Sequence, residues 1–137
     1  MNLVYYNDPN FKKTETYQKY VKENPTQGFL SIRAYAANKA LPISNLSVEV
    51  SKILNNNKVI FYTGKTDESG LIDKISLPTP VVSSDDEIIP ASQDYDIKAV
   101  YEDQNLIFTI TMYANISVNQ NINVVPLIRL DGSFYGR

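Results

Sequence analysis

Thr66-Asp67-Glu68-Ser69-Gly70-Leu71 is the stretch of the sequence that decides the fold. It predicts a tight turn, with one strand running into it over residues 58–64 and another running out over 71–77. Asp67 and Ser69 can hydrogen-bond to backbone amides within the bend, and Gly70 can adopt the positive φ that a bulged hairpin loop requires. The stretch therefore predicts a β-hairpin around which the other strands pack.

Alternation of apolar and polar residues continues on both sides of this turn and predicts further strands. Two strands precede the hairpin, two more pair after it, and a last strand over 116–125 is interrupted near Asn119-Gln120-Asn121. About seven strands at short spacing predict an all-β fold, an antiparallel, transthyretin-like or Ig-like sandwich. The inward-facing residues are predicted to be Leu30, Ile32, Ala34, Ala36, Leu46, Val48, Val50, Leu71, Ile75, Leu77, Tyr95, Ile97, Ala99, Tyr101, Leu106, Phe108, Ile110 and Met112.

Polar and proline-containing segments separate the strands. Asn55-Asn56-Asn57 predicts one turn, because asparagine tolerates left-handed backbone angles. Asp103-Gln104-Asn105 predicts another, and Pro78-Thr79-Pro80 is expected to end a strand and begin the longest loop, which extends through Gln93.

The first 27 residues are predicted to form an arm with one short helix. Asp8 is the expected N-cap with Pro9 in the first turn, and Asn24-Pro25 marks the end. Phe11, Tyr17, Tyr20 and Val21 fall roughly on one helical face. The helix either covers one end of the domain or docks on a neighbouring subunit.

Composition limits the classes of function. The 137 residues suit one domain, and a net charge of −2 provides no electrostatic footprint for nucleic acid. No stretch approaches the ~20 apolar residues of a membrane span, and the N-terminus has no signal-peptide pattern. We therefore expect synthesis in the cytoplasm without a signal peptide and no membrane partner; a virion-like particle or a spore remains open as the final location.

The chain contains no histidine and no cysteine, which are the commonest bases and nucleophiles near neutral pH. This predicts a protein that is not an enzyme and needs no cofactor. Calcium is the one metal that oxygen ligands could hold here, with Asp85, Asp86 and Glu87 converging on Asp94 or Asp96. The favoured alternative is a solvated acidic loop that keeps a sheet edge from pairing.

Tyrosine is frequent, with ten residues and no tryptophan. Tyr35, Tyr62, Tyr101 and Tyr113 lie on predicted strands. They are expected to be half-buried, with rings in the core and hydroxyls in water; a protein interface or stacking on sugar rings are the alternatives.

Several of these elements occur in one order that resembles the carboxypeptidase regulatory-like, transthyretin-like (prealbumin-like) β-sandwich family. The likeness spans residues 28–126 and is closest to versions in proteins of spore-forming bacteria. The resemblance implies that Ile43 plugs the sandwich, that Asp67 and Gly70 shape the turn, and that Pro126 ends the last strand. The elements are Gly28-Phe29-Leu30-Ser31-Ile32, Leu41-Pro42-Ile43-Ser44-Asn45-Leu46-Ser47-Val48-Glu49-Val50, Thr66-Asp67-Glu68-Ser69-Gly70-Leu71, Ile75-Ser76-Leu77-Pro78, Tyr95-Asp96-Ile97 and Asn121-Ile122-Asn123-Val124-Val125-Pro126.

Two functions of related proteins are not expected here. Transthyretin-related hydroxyisourate hydrolases use histidines, which this chain lacks. That activity is therefore not expected, although the residues Tyr135-Gly136-Arg137 are suggestive of it. Pilin-type domains form a Lys-to-Asn cross-link, and Arg33 stands where that lysine is expected. Asn121 and Asn123 are instead predicted to face solvent.

Residues 127–137 continue beyond the resemblance as an apolar tail. It either adds an edge strand with a turn at Asp131-Gly132 or docks on another protein. The three predicted segments are thus an arm (1–27), a sandwich (28–126) and a docking tail (127–137). The predicted partner-docking residues are Phe11, Tyr17, Tyr20, Leu127, Ile128, Leu130, Phe134 and Tyr135.

These features favour a non-enzymatic structural module that contacts other protein subunits of a larger assembly. A phage-tail-like particle and a spore structure are the contexts suggested. A carbohydrate or peptidoglycan binding module is the alternative.

Overall fold

The computed structural model describes residues 1–36, 41–81 and 91–125, together with the backbone of two short strands at 127–128 and 134–135. Eleven strands and two helices occur in this part of the chain. They are β1 (Asn2–Tyr5), α1 (Pro9–Lys12), α2 (Glu15–Glu23), β2 (Thr26–Ala36), β3 (Leu41–Pro42), β4 (Ser47–Leu54), β5 (Asn57–Lys65), β6 (Leu71–Thr79), β7 (Ser92–Tyr101), β8 (Gln104–Tyr113), β9 (Ser117–Asn123), β10 (Leu127–Ile128) and β11 (Phe134–Tyr135).

Two sheets enclose the core, which confirms the predicted all-β sandwich. One sheet has the order β1-β5-β4-β7-β8, and the other is built on β2, which pairs with β3, β6 and β9. The largest completely buried side chains include Leu30, Leu46, Leu77, Tyr95 and Ile97, contributed by both sheets. Their period-2 spacing explains why the sequence identified most of the core correctly.

Strand direction differs from the prediction, because the sheets are mixed. β1 runs parallel to β5, and β9 runs parallel to β2 from the pair Phe29–Ser117 to the pair Tyr35–Asn123. The predicted break at Asn119-Gln120-Asn121 is wrong: β9 is continuous, because its backbone is held by this ladder while Asn119, Asn121 and Asn123 face solvent.

The turn at Thr66-Asp67-Glu68-Ser69-Gly70-Leu71 does not close a hairpin. β5 lies in the five-stranded sheet and β6 lies in the other, so residues 66–70 carry the chain from one sheet to the other. Asp67 and Gly70 nevertheless act as predicted: Asp67 Oδ1 accepts from the backbone N–H of Ser69 (2.8 Å) and of Leu71 (3.0 Å), and Gly70 has φ +76°. Turn chemistry fixes a local bend but does not determine which sheet the next strand joins.

Thr66 and Ile43 hold this crossing in place from inside the molecule. The buried Thr66 hydroxyl donates to the Ile43 carbonyl (2.7 Å) and accepts from the Leu46 N–H (3.0 Å). Ile43 is 3% exposed, in agreement with its expected place inside the sandwich.

The N-terminal residues form more structure than predicted. The expected N-cap is correct, with the Asp8 side chain accepting from the Asn10 N–H and Pro9 opening α1. Thr14 then caps a second helix, which ends at Glu23 with Asn24 as its C-cap, so the single predicted helix is two. Strand β1 was not predicted, since four residues before a helix cap are too few to show a period.

Two predicted turns can be compared with the structure. Asn55 and Asn56 have φ of +47° and +65° and join β4 to β5, as expected. The turn predicted at Asp103-Gln104-Asn105 begins one residue earlier in the structure, at Glu102 and Asp103. Gln104 and Asn105 already belong to β8 and pair with β7.

Candidate interaction surfaces

The predicted docking residues of the N-terminal arm belong to an aromatic cluster inside this chain. Tyr6 stacks on Phe61 with ring centroids 4.4 Å apart, and Tyr17 lies 5.1 Å from Tyr6. Phe11 and Tyr20 are each 5% exposed. The interpretation of Phe11 and Tyr20 as partner-docking residues is therefore corrected: they cover one end of the core, and the half-buried Tyr17 packs beside them.

The hydroxyl of Tyr20 connects the helix to the centre of the sandwich. Tyr95 donates its hydroxyl hydrogen to the Pro78 carbonyl, so the 2.7 Å contact between the two phenols has Tyr20 donating to Tyr95. These two hydrogen bonds fix the orientation of α2 on the sheets, because apolar contact alone would not specify one orientation.

Burial raises the pKa of these phenols. It raises the pKa of Tyr6 to about 12, and it also raises the pKa of Tyr20 and of Tyr95. Each phenol therefore stays neutral near pH 7, and the cluster acts as packing with internal hydrogen bonds.

Val125 is the last residue that the structure describes before the two C-terminal strands. The Gln104 side chain holds this residue by two hydrogen bonds, donating to its carbonyl (2.8 Å) and accepting from its N–H (3.1 Å). β10 and β11 then pair with each other, Leu127 opposite Tyr135 and Ile128 opposite Phe134. They form a two-stranded sheet that no other strand of the described chain joins. Leu130, Asp131 and Gly132 lie outside the described residues, and so does Pro126.

A polar groove of about 440 Å³ runs along the outer face of the sheet built on β2. Ser31 and Arg33 of β2, Asp73 of β6, and Asn119 and Asn121 of β9 line it. Arg33, Asp73, Asn119 and Asn121 are exposed, as predicted for Asn121. The groove thus combines a cation, a carboxylate and two amides on one open surface. Sequence reasoning missed it, because these side chains meet only when β9 pairs with β2.

Of the acidic residues predicted as calcium ligands, the structure describes Asp94 and Asp96, and these two are bonded to threonines of the neighbouring strand. Asp94 and Asp96 accept hydrogen bonds from Thr111 (2.7 Å) and Thr109 (3.0 Å) across the β7–β8 ladder. Asp85, Asp86 and Glu87 lie outside the described residues. Within the described ranges, the structure contains no group of three or more acidic side chains placed to hold a metal ion.

Lys52 is a half-buried cation close to Asp94 and Asp96. Its ammonium donates to the Asp94 carbonyl (2.7 Å) and lies 5.7 Å from the centre of the Tyr95 ring. Burial lowers the pKa of Lys52, and the charges of Asp94 and Asp96 act in the opposite direction.

The strand tyrosines are half-buried, as expected for Tyr35, Tyr62, Tyr101 and Tyr113. Tyr62 lies over Gly64, where an added Cβ would come within 2.2 Å of the Tyr62 hydroxyl. Neither described helix is long and apolar enough to cross a membrane.

No protein-family model and no curated protein matches the chain. Among solved structures, the chain is similar to the 5-hydroxyisourate hydrolase of Klebsiella pneumoniae, with 11% sequence identity and a TM-score of 0.48. The similarity covers 79% of this chain and 94% of the hydrolase. A likeness this distant carries no inference about family, activity, ligands or partners.

Proposed function

We propose that the protein is a non-enzymatic interaction module that binds another protein subunit through the β10–β11 hairpin. The observation that carries the proposal is that this hairpin forms a sheet of its own in the described structure, outside both sheets of the sandwich. An isolated two-stranded hairpin is at best marginally stable in water. A partner surface that covers one of its faces would supply the missing burial.

The residue types of the hairpin agree with a docking role. Its four paired positions are Leu127, Ile128, Phe134 and Tyr135, all apolar or aromatic, and aromatic residues are enriched at protein interfaces. Gln104 anchors the start of the segment at Val125, so the hairpin begins from a defined point on the domain. A larger assembly, such as a phage-tail-like particle or a spore structure, is the context that we propose for this contact.

The test uses the complete chain with a double substitution, Phe134→Ser and Tyr135→Ser. We expect the unaltered chain to retain a specific subunit from a native lysate of the source cells and the double variant to lose it. Val21→Ser, on the exposed side of α2, is the matched control and should retain the subunit. Equal retention by the double variant would refute docking through the hairpin.

The polar groove supports a second candidate, a carbohydrate or peptidoglycan binding module. Its exposed Arg33, Asp73, Asn119 and Asn121 offer both donors and acceptors, which suit the paired hydroxyls of a sugar. The groove is open at the surface, so a polymer chain could cross it.

Binding to purified cell-wall fragments decides this candidate. We expect the unaltered chain to co-sediment with the fragments. The double variant Arg33→Ala, Asn121→Ala should remain in solution. Thr63→Ala, which changes an exposed residue of the other sheet, should co-sediment normally. If the unaltered chain does not bind the fragments when their sugar units are present at millimolar concentration, carbohydrate binding is refuted.

A further inference from the structure

A cleft of about 410 Å³ lies on the outer face of the five-stranded sheet, where β4 runs between β5 and β7. Val48 and Val50 of β4 point into the core, so the residues that alternate with them face outward. A volume of this size suits a small ligand. Two rows of neighbouring residues cross the three strands at the cleft and line it: Lys65, Ser47 and Val100 in one row, and Thr63, Glu49 and Lys98 in the other.

Lys65, Lys98 and Ser47 bring hydrogen-bond donors to this cleft that are not used elsewhere in the described chain. Neither ammonium group has a hydrogen bond or an ion pair to a described residue, and the same holds for the hydroxyl of Ser47. Lys65 on β5 and Lys98 on β7 flank β4 from both sides, with their strands about 10 Å apart. These residues are distant in the sequence and meet only because β4 pairs with both β5 and β7.

The charge of the cleft is positive, although the whole chain has a net charge of −2. Glu49 lies in the row between Lys65 and Lys98, but its Oε2 is 2.8 Å from the Nζ of Lys58, which neutralises it. Asp96, the next acid on the same face of β7, accepts a hydrogen bond from the β8 side. Because a concave surface of opposite sign to the rest of the protein concentrates counter-ions, the cleft favours an anionic ligand.

We propose that this cleft binds a small soluble molecule that carries a diphosphate group or two phosphate groups. Lysine ammonium groups bind phosphate as point charges, and two phosphates offer negatively charged oxygens to Lys65 and Lys98 at the same time. The hydroxyl of Ser47, between the two lysine-bearing strands, would donate to a further phosphate oxygen.

The overall charge favours a small ligand over a nucleic acid. A long polyanion would extend beyond the cleft and meet a chain whose net charge is −2, whereas a small molecule contacts the positive surface alone. The cleft lies on a different sheet from the polar groove, and it shares no residue with the β10–β11 hairpin. Binding here is therefore independent of both functions proposed above.

The first test is titration of the complete chain with inorganic diphosphate, followed by NMR of the backbone amides. We expect saturable binding with a dissociation constant of about 1 mM or below, and shifts confined to β4, β5 and β7 around the cleft. The double variant Lys65→Gln, Lys98→Gln should raise the dissociation constant by roughly tenfold or more, because both charge-assisted contacts are lost. Circular dichroism confirms that the variant is folded.

The matched control is the double variant Lys19→Gln, Lys22→Gln. It removes the same charge from exposed positions of α2, which lies at the other end of β4, where Asn55 contacts Thr16. The control should leave the dissociation constant unchanged, since it tests net charge alone. Lys98→Arg, which keeps the charge inside the cleft, should retain binding.

Four results would overturn the proposal. They are no binding of diphosphate at about 10 mM, an equal loss of affinity in the control variant, amide shifts centred outside the cleft, and affinity for citrate equal to that for diphosphate. The source of the phosphate is tested with phosphatidylcholine vesicles that contain phosphatidic acid. Binding to these vesicles without binding to diphosphate would refute a soluble ligand.

Discussion

At Gly70 the backbone φ is +76°, and a Cβ built on this residue would lie 2.4 Å from the Ala34 carbonyl oxygen. The same carbonyl accepts from the Ile43 N–H, and the Gly70 carbonyl accepts from the Ala34 N–H, so neither backbone segment can move away freely. Position 70 therefore requires glycine for two reasons: the backbone has a positive φ, and there is no space for a Cβ atom. The sequence indicated the first requirement, and the tertiary structure added the second.

Gly70→Ala should lower the free energy of unfolding by about 2 kcal/mol or more, since left-handed strain and the close approach to Ala34 act together. Urea denaturation at neutral pH measures the loss. Glu68→Ala at the exposed tip of the same turn is the control and should cost less than about 0.5 kcal/mol. Equal midpoints for Gly70→Ala and the unaltered chain would contradict the backbone geometry described for this turn.

Tyr20 and Val21 are neighbours in α2 with opposite environments. Tyr20 is 5% exposed and bonded to Tyr95, whereas Val21 is 36% exposed. Tyr20→Ser should cost about 3 kcal/mol or more, as expected for truncating a large buried aromatic side chain. Val21→Ser should cost less than about 1 kcal/mol. Thermal unfolding followed by circular dichroism distinguishes the two; similar losses would mean that α2 is not docked as described.

The connection between β5 and β6 is the element whose role differs most from the prediction. It crosses between sheets, and the buried Thr66 hydroxyl satisfies two backbone groups of the segment that leads into β4. No pattern in the sequence separates a crossing of this kind from a hairpin, because both need the same bend and the same flanking strands. In the structure both edges of β5 are occupied, by β4 on one side and by β1 on the other, so β6 joins the second sheet.

Thr66→Val should lower the free energy of unfolding by about 2 kcal/mol or more, because it leaves the Ile43 carbonyl and the Leu46 N–H buried without their partner. Thr63→Val, three residues earlier and exposed, is the matched control and should be close to neutral. Urea midpoints measure both. An unchanged midpoint for Thr66→Val would show that water replaces the hydroxyl and that the crossing does not depend on it.

At the scale of the whole molecule, ring contacts of the aromatic cluster connect the N-terminal segment and α2 with β5 and β7. Its phenols also make stability depend on pH in the alkaline range. Burial raises the pKa of Tyr20 and Tyr95, while the unfolded chain ionises near pH ~10. Above that pH the unfolded state binds fewer protons than the folded state, so the free energy of unfolding falls as pH rises.

Tyr20→Phe should flatten this alkaline decline by up to about 1.4 kcal/mol per pH unit, the contribution of one phenol. Below pH ~9 the variant should show no such pH effect, since the tyrosines of both states are then protonated. Urea denaturation at intervals from pH 8 to pH 11 measures the slope. Tyr5→Phe, a phenol that is 52% exposed, is the control. A slope that Tyr20→Phe leaves unchanged would contradict the burial of Tyr20.

The sequence by itself determined the features that depend on neighbours along the chain. Alternation identified the inward residues of β2, β4, β7 and β8, and Asp8, Asn55, Asn56 and Gly70 marked a cap and two bends, because each acts through bonds and φ values within a few residues. Only the tertiary structure decided which strands pair and in which direction. A period of two reports the face of a strand but not its partner, so the separation of β5 from β6, the parallel placement of β9, and the burial of Phe11 and Tyr20 depended on packing between residues distant in sequence.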